Sequence, residues 1–370
     1  MKIFSIKMTV CLLGLFILFG GSSAFAASSF KFAVIADPHM SVAGQKSPEN
    51  GSKMFKDSVQ LLQSTIKEIN QTEGIDFVVA LGDLTKDAEP WNVDRFKEVM
   101  DDLTAPYYVV LGNHDISPVD TNKAARSPGV TRATMIWTFQ GHGYNGPKTH
   151  WSVDPLPNIH LIGLDSTRTG DWDGRITQEG LSFLERDLAS NPNKPTIVLL
   201  HHQLTAYCDS AVNGENDFDK FVTRNAGDVL KVLRKHPQVV MTMSGHRHIS
   251  TRYKKDNHIA LFTCPSTMTW PMRYCIFEVD GKKISYNTYD VPCSSSVLSE
   301  AKENMMNAKW WHPKGEHPMT QAGNNKFKKF MLSSGTMSGE VKFAPETKNI
   351  IADRMGSEFY GQSTSVALIK

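Results

Sequence analysis

A surplus of charge of either sign is the first thing this sequence lacks. The 370 residues carry 40 Lys and Arg against 38 Asp and Glu. Residues 1–26 hold two of the lysines, Lys2 and Lys7, and no acid, so the remainder balances at 38 against 38. A chain without a net field does not steer polyanions toward itself, which counts against a nucleic-acid partner. Cysteine is scarce as well: there are five, and no pair has the Cys-x-x-Cys spacing of a structural zinc site. Internal repeats and low-complexity tracts are missing. Apolar stretches long enough to cross a bilayer are also missing, since the longest, near the N-terminus, is too short to span one.

That stretch runs from Val10 to Phe19, behind the two lysines and ahead of Ala24-Phe25-Ala26. The order of basic, apolar and small residues predicts a signal peptide over 1–26, cut after Ala26. The mature chain is then exported to the periplasm or the extracellular space, with no stable membrane span. Cys208, Cys264, Cys275 and Cys293 remain after the cut. An even number in an exported chain predicts one or two disulfides. Cys264 and Cys275 flank "PSTMTWPMRY", read as a hairpin loop, and are the favoured pair.

What the rest contains is alternation. Short, nearly continuous apolar runs stand at 30–37 ("FKFAVIAD"), 75–83 ("IDFVVALGD"), 107–115 ("YYVVLGNHD"), 159–166 ("IHLIGLDS"), 196–202 ("TIVLLHH") and 239–248 ("VVMTMSGHRH"). Such runs suit strands covered on both faces. Between them lie helix-like stretches. In 54–70, Phe55, Val59, Leu62, Ile66 and Ile69 share one face. Others are 93–103, 177–190 with Thr177 as N-cap, and much of 217–236. Strands with little helix follow from about 258 to 290. The pattern predicts an α/β domain with mixed sheets over 27–293. Residues 116–158, rich in Gly, Pro and aromatics, read as a long excursion. Residues 294–370, including "WWHP", read as an appended C-terminal region.

Polar residues recur at one place in this pattern. Five apolar runs end in Asp37-Pro38-His39, Gly82-Asp83, Gly112-Asn113-His114-Asp115, His201-His202 and Gly245-His246-Arg247-His248, and these ends hold six of the thirteen histidines. In α/β sheets the carboxyl ends of strands are where ligands collect. In extended backbone, residues two apart point the same way. Asp37 with His39, and His246 with His248, can therefore each aim two donors into one space. Carboxylate, amide and imidazole donors together suit Mn, Fe, Zn or Co. They are too many for one tetrahedral ion and fit two. Two divalent ions about 3.5–4 Å apart are a standard device for hydrolysing phosphate esters.

The ordered set D-x-H, G-D, G-N-H-D, H and G-H-x-H, spread over about 33–248, resembles the calcineurin-like metallophosphoesterase superfamily. "GDLTKDAEP" lacks the D-R-G of its protein-phosphatase branch, and Lys86 stands where purple acid phosphatases have tyrosine. The nearest branch is the cyclic-nucleotide and glycerophosphodiester phosphodiesterases, although Gln203 replaces the proline of their H-H-P. The resemblance implies four layers, with mixed sheets sandwiched between helices. It implies that Asp37, His39, Asp83 and His248 hold one ion. Asp83 would bridge to a second held by Asn113, His201 and His246. His201, directly after its strand, is preferred to His202. His114 would face the phosphoryl group and Asp115 would orient it. The expected activity is hydrolysis of a small-molecule phosphoester by water activated between the ions, with a phosphodiester preferred. A phosphomonoesterase, and a binding protein that has lost turnover, are the alternatives.

Overall fold

The computed structural model describes residues 29–42, 51–116, 129–206, 222–308 and 337–350. The expected signal peptide, Cys208 and "WWHP" lie outside these residues. Two six-stranded sheets form the centre. The first has the order β12 (Ser338–Lys342), β11 (Lys283–Asp290), β10 (Arg273–Val279), β1 (Phe30–Ile35), β2 (Phe77–Leu81) and β3 (Tyr107–Val110). The second runs β4 (Trp151–Leu156), β5 (Ile159–Leu164), β6 (Thr196–Leu200), β7 (Val239–Ser244), β9 (Ile259–Thr263) and β8 (Arg252–Asp256). Both are mixed: β1–β2–β3 and β5–β6–β7–β9 are parallel, and the strands toward the other edges antiparallel.

Burial on both faces explains why the parallel strands read as continuous apolar runs. Ile197 and Leu199 of β6 turn to the core shared with the first sheet, where Phe32, Phe77 and Phe277 stack. Val198 and Leu200 turn the other way, against α4 (Gln178–Ser190) and α5 (Ala226–Leu233). Helices α1 (Ser58–Gln71) and α2 (Pro90–Met100) cover the first sheet with Leu62, Ile66, Val93 and Phe96. The result is helix, sheet, sheet, helix, the four layers expected. Thr177 caps α4 as predicted, accepting from the Gly180 amide at 3.1 Å.

Three regions refine the sequence reading. The excursion after residue 116 contains α3 (Arg132–Thr138) and the edge strand β4, while 117–128 lie outside the described residues. The C-terminal region is appended to the first sheet. Its α6 (Ser295–Asn307) buries Ala301 and Met305, and β12 pairs with β11 to set Val341 into the core. The expected Cys264–Cys275 hairpin is instead a crossover, because β9 belongs to the second sheet and β10 to the first. Cys264, Cys275 and Cys293 are free thiols, so the favoured disulfide is absent. Cys275 Sγ lies 3.1 Å from Thr251 Oγ1. Among the described residues no helix is long and apolar enough to cross a membrane.

Candidate metal centre

All five polar strand ends meet at one rim, between the two sheets. β1, β2 and β3 bring Asp37 and His39, Asp83, and Asn113; β6 and β7 bring His201, and His246 and His248. The loops are stitched to each other. The Asp37 amide donates to the Gly82 carbonyl at 3.2 Å, and the His39 amide to the Asp83 carbonyl at 2.9 Å. The His246 amide reaches the Asp37 carboxylate at 2.9 Å.

The backbone that makes this possible is not extended. Among the described residues, eight non-glycine residues have positive φ, and five of them are Asp37, His39, Asp83, His246 and His248. Left-handed turns, not the pleat of a strand, aim each pair inward, so the pairs converge as expected but not through strand alternation. Such conformations cost about 1–3 kcal/mol each and persist where the surroundings over-determine them. Close approach adds a second constraint: a Cβ on Gly112 would lie 2.1 Å from the Asp83 amide nitrogen.

Two groups of donors result. In the first, His39 Nε2 and His248 Nε2 are 3.1 Å apart, with Asp83 Oδ2 3.5 Å from His39 and Asp37 Oδ1 3.3 Å from His248. In the second, His201 Nε2 lies 3.1 Å from His246 Nδ1, 3.1 Å from Asn113 Oδ1 and 3.3 Å from Asp83 Oδ1. The two oxygens of Asp83 thus face different groups. Bonds of about 2.0–2.2 Å to one ion set neighbouring donors about 3.0–3.5 Å apart. The observed separations fall in that range, so the residues fit a pair of divalent ions.

Outer partners fix the rings. A carbonyl only accepts, so His201 Nδ1 donates to Leu81 O at 2.8 Å and Nε2 is the nitrogen left facing inward. His248 Nδ1 meets Thr269 Oγ1 at 2.9 Å. His202 also lies beside His201 and His246. Its Nε2 donates to Trp172 O at 3.1 Å and its Nδ1 faces Ser166 Oγ at 2.8 Å, so both ring nitrogens are engaged.

Charge follows the same layout. Burial, with Lys53 beside it, holds His39 well below the usual histidine range. Burial and the neighbouring His202 and His201 do the same for His246. Burial opposes charge on His201 too, but Asp83 and Asp37 outweigh it and push the imidazole up to about 9. Burial works against the Asp83 carboxylate, yet His201, His114 and His39 hold it well below its ordinary range.

His114 sits at the rim of the first group, its ring centroid 4.8 Å from that of His39. Here the expected geometry needs correction. Asp115 does not serve the His114 ring: its oxygens accept from the amides of Gly112 (2.8 Å), Leu84 (3.0 Å) and Thr85 (2.9 Å), clamping two loops together. A chain turning through a 3-10 helix at Asn113–Asp115 points the Asp115 side chain back toward these amides. His114 Nδ1 is held instead by Lys86 O at 2.6 Å and Asp87 Oδ1 at 3.1 Å. Burial opposes ionisation of Asp87, but His114 and Lys86 hold its carboxyl far below the normal range. Two further residues escaped the sequence reading. Lys53 Nζ lies 3.1 Å from His114 Nε2, and the exposed Trp172 presents its ring 5.6 Å from that of His114. Asp87 stands within "GDLTKDAEP", four residues after Asp83, and that spacing is the one signal available; Lys53 and Trp172 carry none.

Comparison with known proteins agrees with this geometry. A family model described as calcineurin-like phosphoesterase matches residues 30–250. A relative from Haemophilus influenzae, 3',5'-cyclic adenosine monophosphate phosphodiesterase CpdA, is 23% identical over 273 residues, covering 74% of this chain and 89% of its own. The protein of the same name from Escherichia coli is 28% identical over 227 residues, covering 61% and 73%. Among solved structures, a dimetal phosphatase from Danio rerio superposes with a TM-score of 0.54 at 16% identity, over 71% of this chain and 96% of that one. The last likeness is one of fold.

Proposed function

The chain belongs to the calcineurin-like phosphoesterase family and is a metal-dependent phosphoester hydrolase, and from that premise we propose that it is a binuclear phosphodiesterase acting on nucleotide diesters. One observation carries the two-ion reading: a single carboxylate, Asp83, turns one oxygen to each group of histidines. In this reading Asp37, His39, Asp83 and His248 hold one ion, and Asp83, Asn113, His201 and His246 the other. His201 is the ligand in preference to His202, whose ring nitrogens are both engaged. When bound, two such ions supply Lewis acidity and an activated water. The protein supplies the rest. Asp83 fixes the spacing. Thr269 and Leu81 O hold the His248 and His201 rings. Lys86 O and Asp87 keep the proton of His114 on Nδ1, so that Nε2 faces the space where the phosphoryl group would lie.

Two features support a nucleotide diester as substrate. The relatives bear the name 3',5'-cyclic adenosine monophosphate phosphodiesterase. Trp172 offers an exposed indole beside His114, and such a ring suits the flat face of a base. The test compares turnover of 3',5'-cyclic AMP, bis-p-nitrophenyl phosphate and p-nitrophenyl phosphate in the presence of Mn. Hydrolysis of both diesters ahead of the monoester is expected. Asp83→Asn should lower every rate at least about 10³-fold, because the shared carboxylate is lost. Faster turnover of the monoester would return the phosphomonoesterase reading. Near-normal rates in Asp83→Asn would remove the two-ion reading itself.

A further inference from the structure

Lys53 lies on none of the strand ends that build the centre. It stands just before Phe55, and its backbone bridges to Thr269. The next amide, of Met54, donates to Met268 O at 3.1 Å. Thr269 is the residue whose hydroxyl meets His248 Nδ1. The segment that carries Lys53 is therefore pinned to the loop that holds a candidate ligand, and the side chain is delivered to one place. Its Nζ lies 3.1 Å from His114 Nε2 and 3.5 Å from His39 Nδ1. The residue is half-buried, with its ammonium over the Phe55 ring, 5.9 Å from the centroid.

We infer that the ammonium of Lys53 binds a non-bridging oxygen of the substrate phosphoryl group. The inference rests on the phosphoester hydrolase reading of the same site. With its Nδ1 proton directed at Lys86 O, His114 keeps a lone pair on Nε2. Lys53 is then the group at this corner that offers N–H bonds to an anion. A charge-assisted hydrogen bond to an oxyanion spans about 2.7–2.9 Å. The ammonium has three protons, so it can direct one at the lone pair of His114 Nε2, 3.1 Å away, and another at such an oxygen. Burial lowers the pKa of Lys53, and the carboxylates of Asp83, Asp87 and Asp37 act in the opposite sense, in favour of the ammonium. Lysine, unlike arginine, meets such an oxygen as a compact point charge and not a planar fork.

The test uses full-length, Mn-loaded protein and inorganic phosphate as probe. Phosphate affinity is read by titration calorimetry and metal content by elemental analysis, for wild type, Lys53→Met and Lys53→Arg. With metal content unchanged, Lys53→Met should bind phosphate about ten- to hundred-fold more weakly, and Lys53→Arg should recover part of the loss. Diester KM should rise in step. Phosphate affinity within about twofold of wild type in Lys53→Met overturns the inference. So does loss of metal from both variants, which would make Lys53 part of the scaffold of the centre. Asp83→Asn is the control on the underlying reading: if it retains metal and turnover, the two-ion site is wrong, whereas a failure confined to the Lys53 variants removes the lysine alone.

Discussion

Two environments of buried histidine in this protein, a cluster at the rim and the single His160, meet carboxylates and come out with contrasting electrostatics. At the rim between the sheets, burial holds His39, His246 and His248 below the ordinary range, helped by Lys53 at His39 and His248 and by His202 and His201 at His246, although Asp83 or Asp37 adjoins each. Toward the opposite end of the second sheet, His160 sits between Asp154 and Asp187, each 2.6 Å from a different ring nitrogen. Burial opposes its charge as well, but the two carboxylates prevail and raise it. The difference is stoichiometry. One imidazole with two carboxylates becomes a cation tying β4, β5 and α4 together. Of the several imidazoles that share two carboxylates at the rim, only His201 is raised, to about 9, while His39, His246 and His248 are held low and offer lone pairs. Neutral imidazole is the form that binds metal.

The comparison is broken most severely by moving a ligand. His201→Gln removes the ring that faces Asp83, Asn113 and His246 together. It should lose one of two Mn per chain by elemental analysis and most of the turnover, about 10³-fold. His202→Gln touches the same cluster, but from a ring already bonded to Ser166 and Trp172 O. It should keep both ions. If His202→Gln loses the ion and His201→Gln keeps it, the assignment between these neighbours is reversed.

His114 has contacts on both of its ring nitrogens. A carboxylate, Asp87, adjoins one of its nitrogens, while the other faces the centre. Asp87→Asn should therefore act through the ring and not through the ions. A fall of about 10–100-fold in kcat is expected, with Mn content unchanged and a shifted pH–rate profile. An unchanged profile with lower kcat would make Asp87 merely structural.

How much of this was legible follows from where each residue gets its position. The strands under the centre are buried on both faces, so β1, β2, β6 and β7 announce themselves as apolar runs, and their polar ends stand out against them. β12, "SGEVK", is a mostly polar edge strand that pairs with β11 in a register reaching from Lys283 to Lys342. Nothing local predicts so distant a partner. The left-handed backbone at Asp37 and His246 was hidden because aspartate and histidine tolerate positive φ without requiring it. Asp87 and Lys53 arrive from loops, where no period marks which side chain turns inward. Adjacency in sequence to His114 says nothing about which amides the Asp115 carboxylate meets.

The smallest expected effect isolates the His160 side of the comparison. A histidine whose folded pKa lies above its unfolded value adds stability that is complete below the unfolded pKa, about 6.5, and disappears as pH rises through the folded one. His160→Gln should therefore cost about 1.5–3 kcal/mol near pH 6, the range for hydrogen bonds to charged groups, and progressively less toward pH 9. Urea denaturation of wild type and variant, compared at each pH, gives the difference directly. The rim histidines titrate in both proteins and cancel, because His160, near the start of β5, lies toward the far end of the sheet from the centre at the carboxyl end of β6. Asp154 bounds the window on the acid side. Burial works against its ionisation, but Lys194 and His160 hold its carboxyl below the usual range, so its share is lost only as pH falls through that lowered value. A difference that stays flat from pH 6 to 9 would mean that His160 contributes shape and not charge, and the contrast between the two histidine environments would reduce to packing.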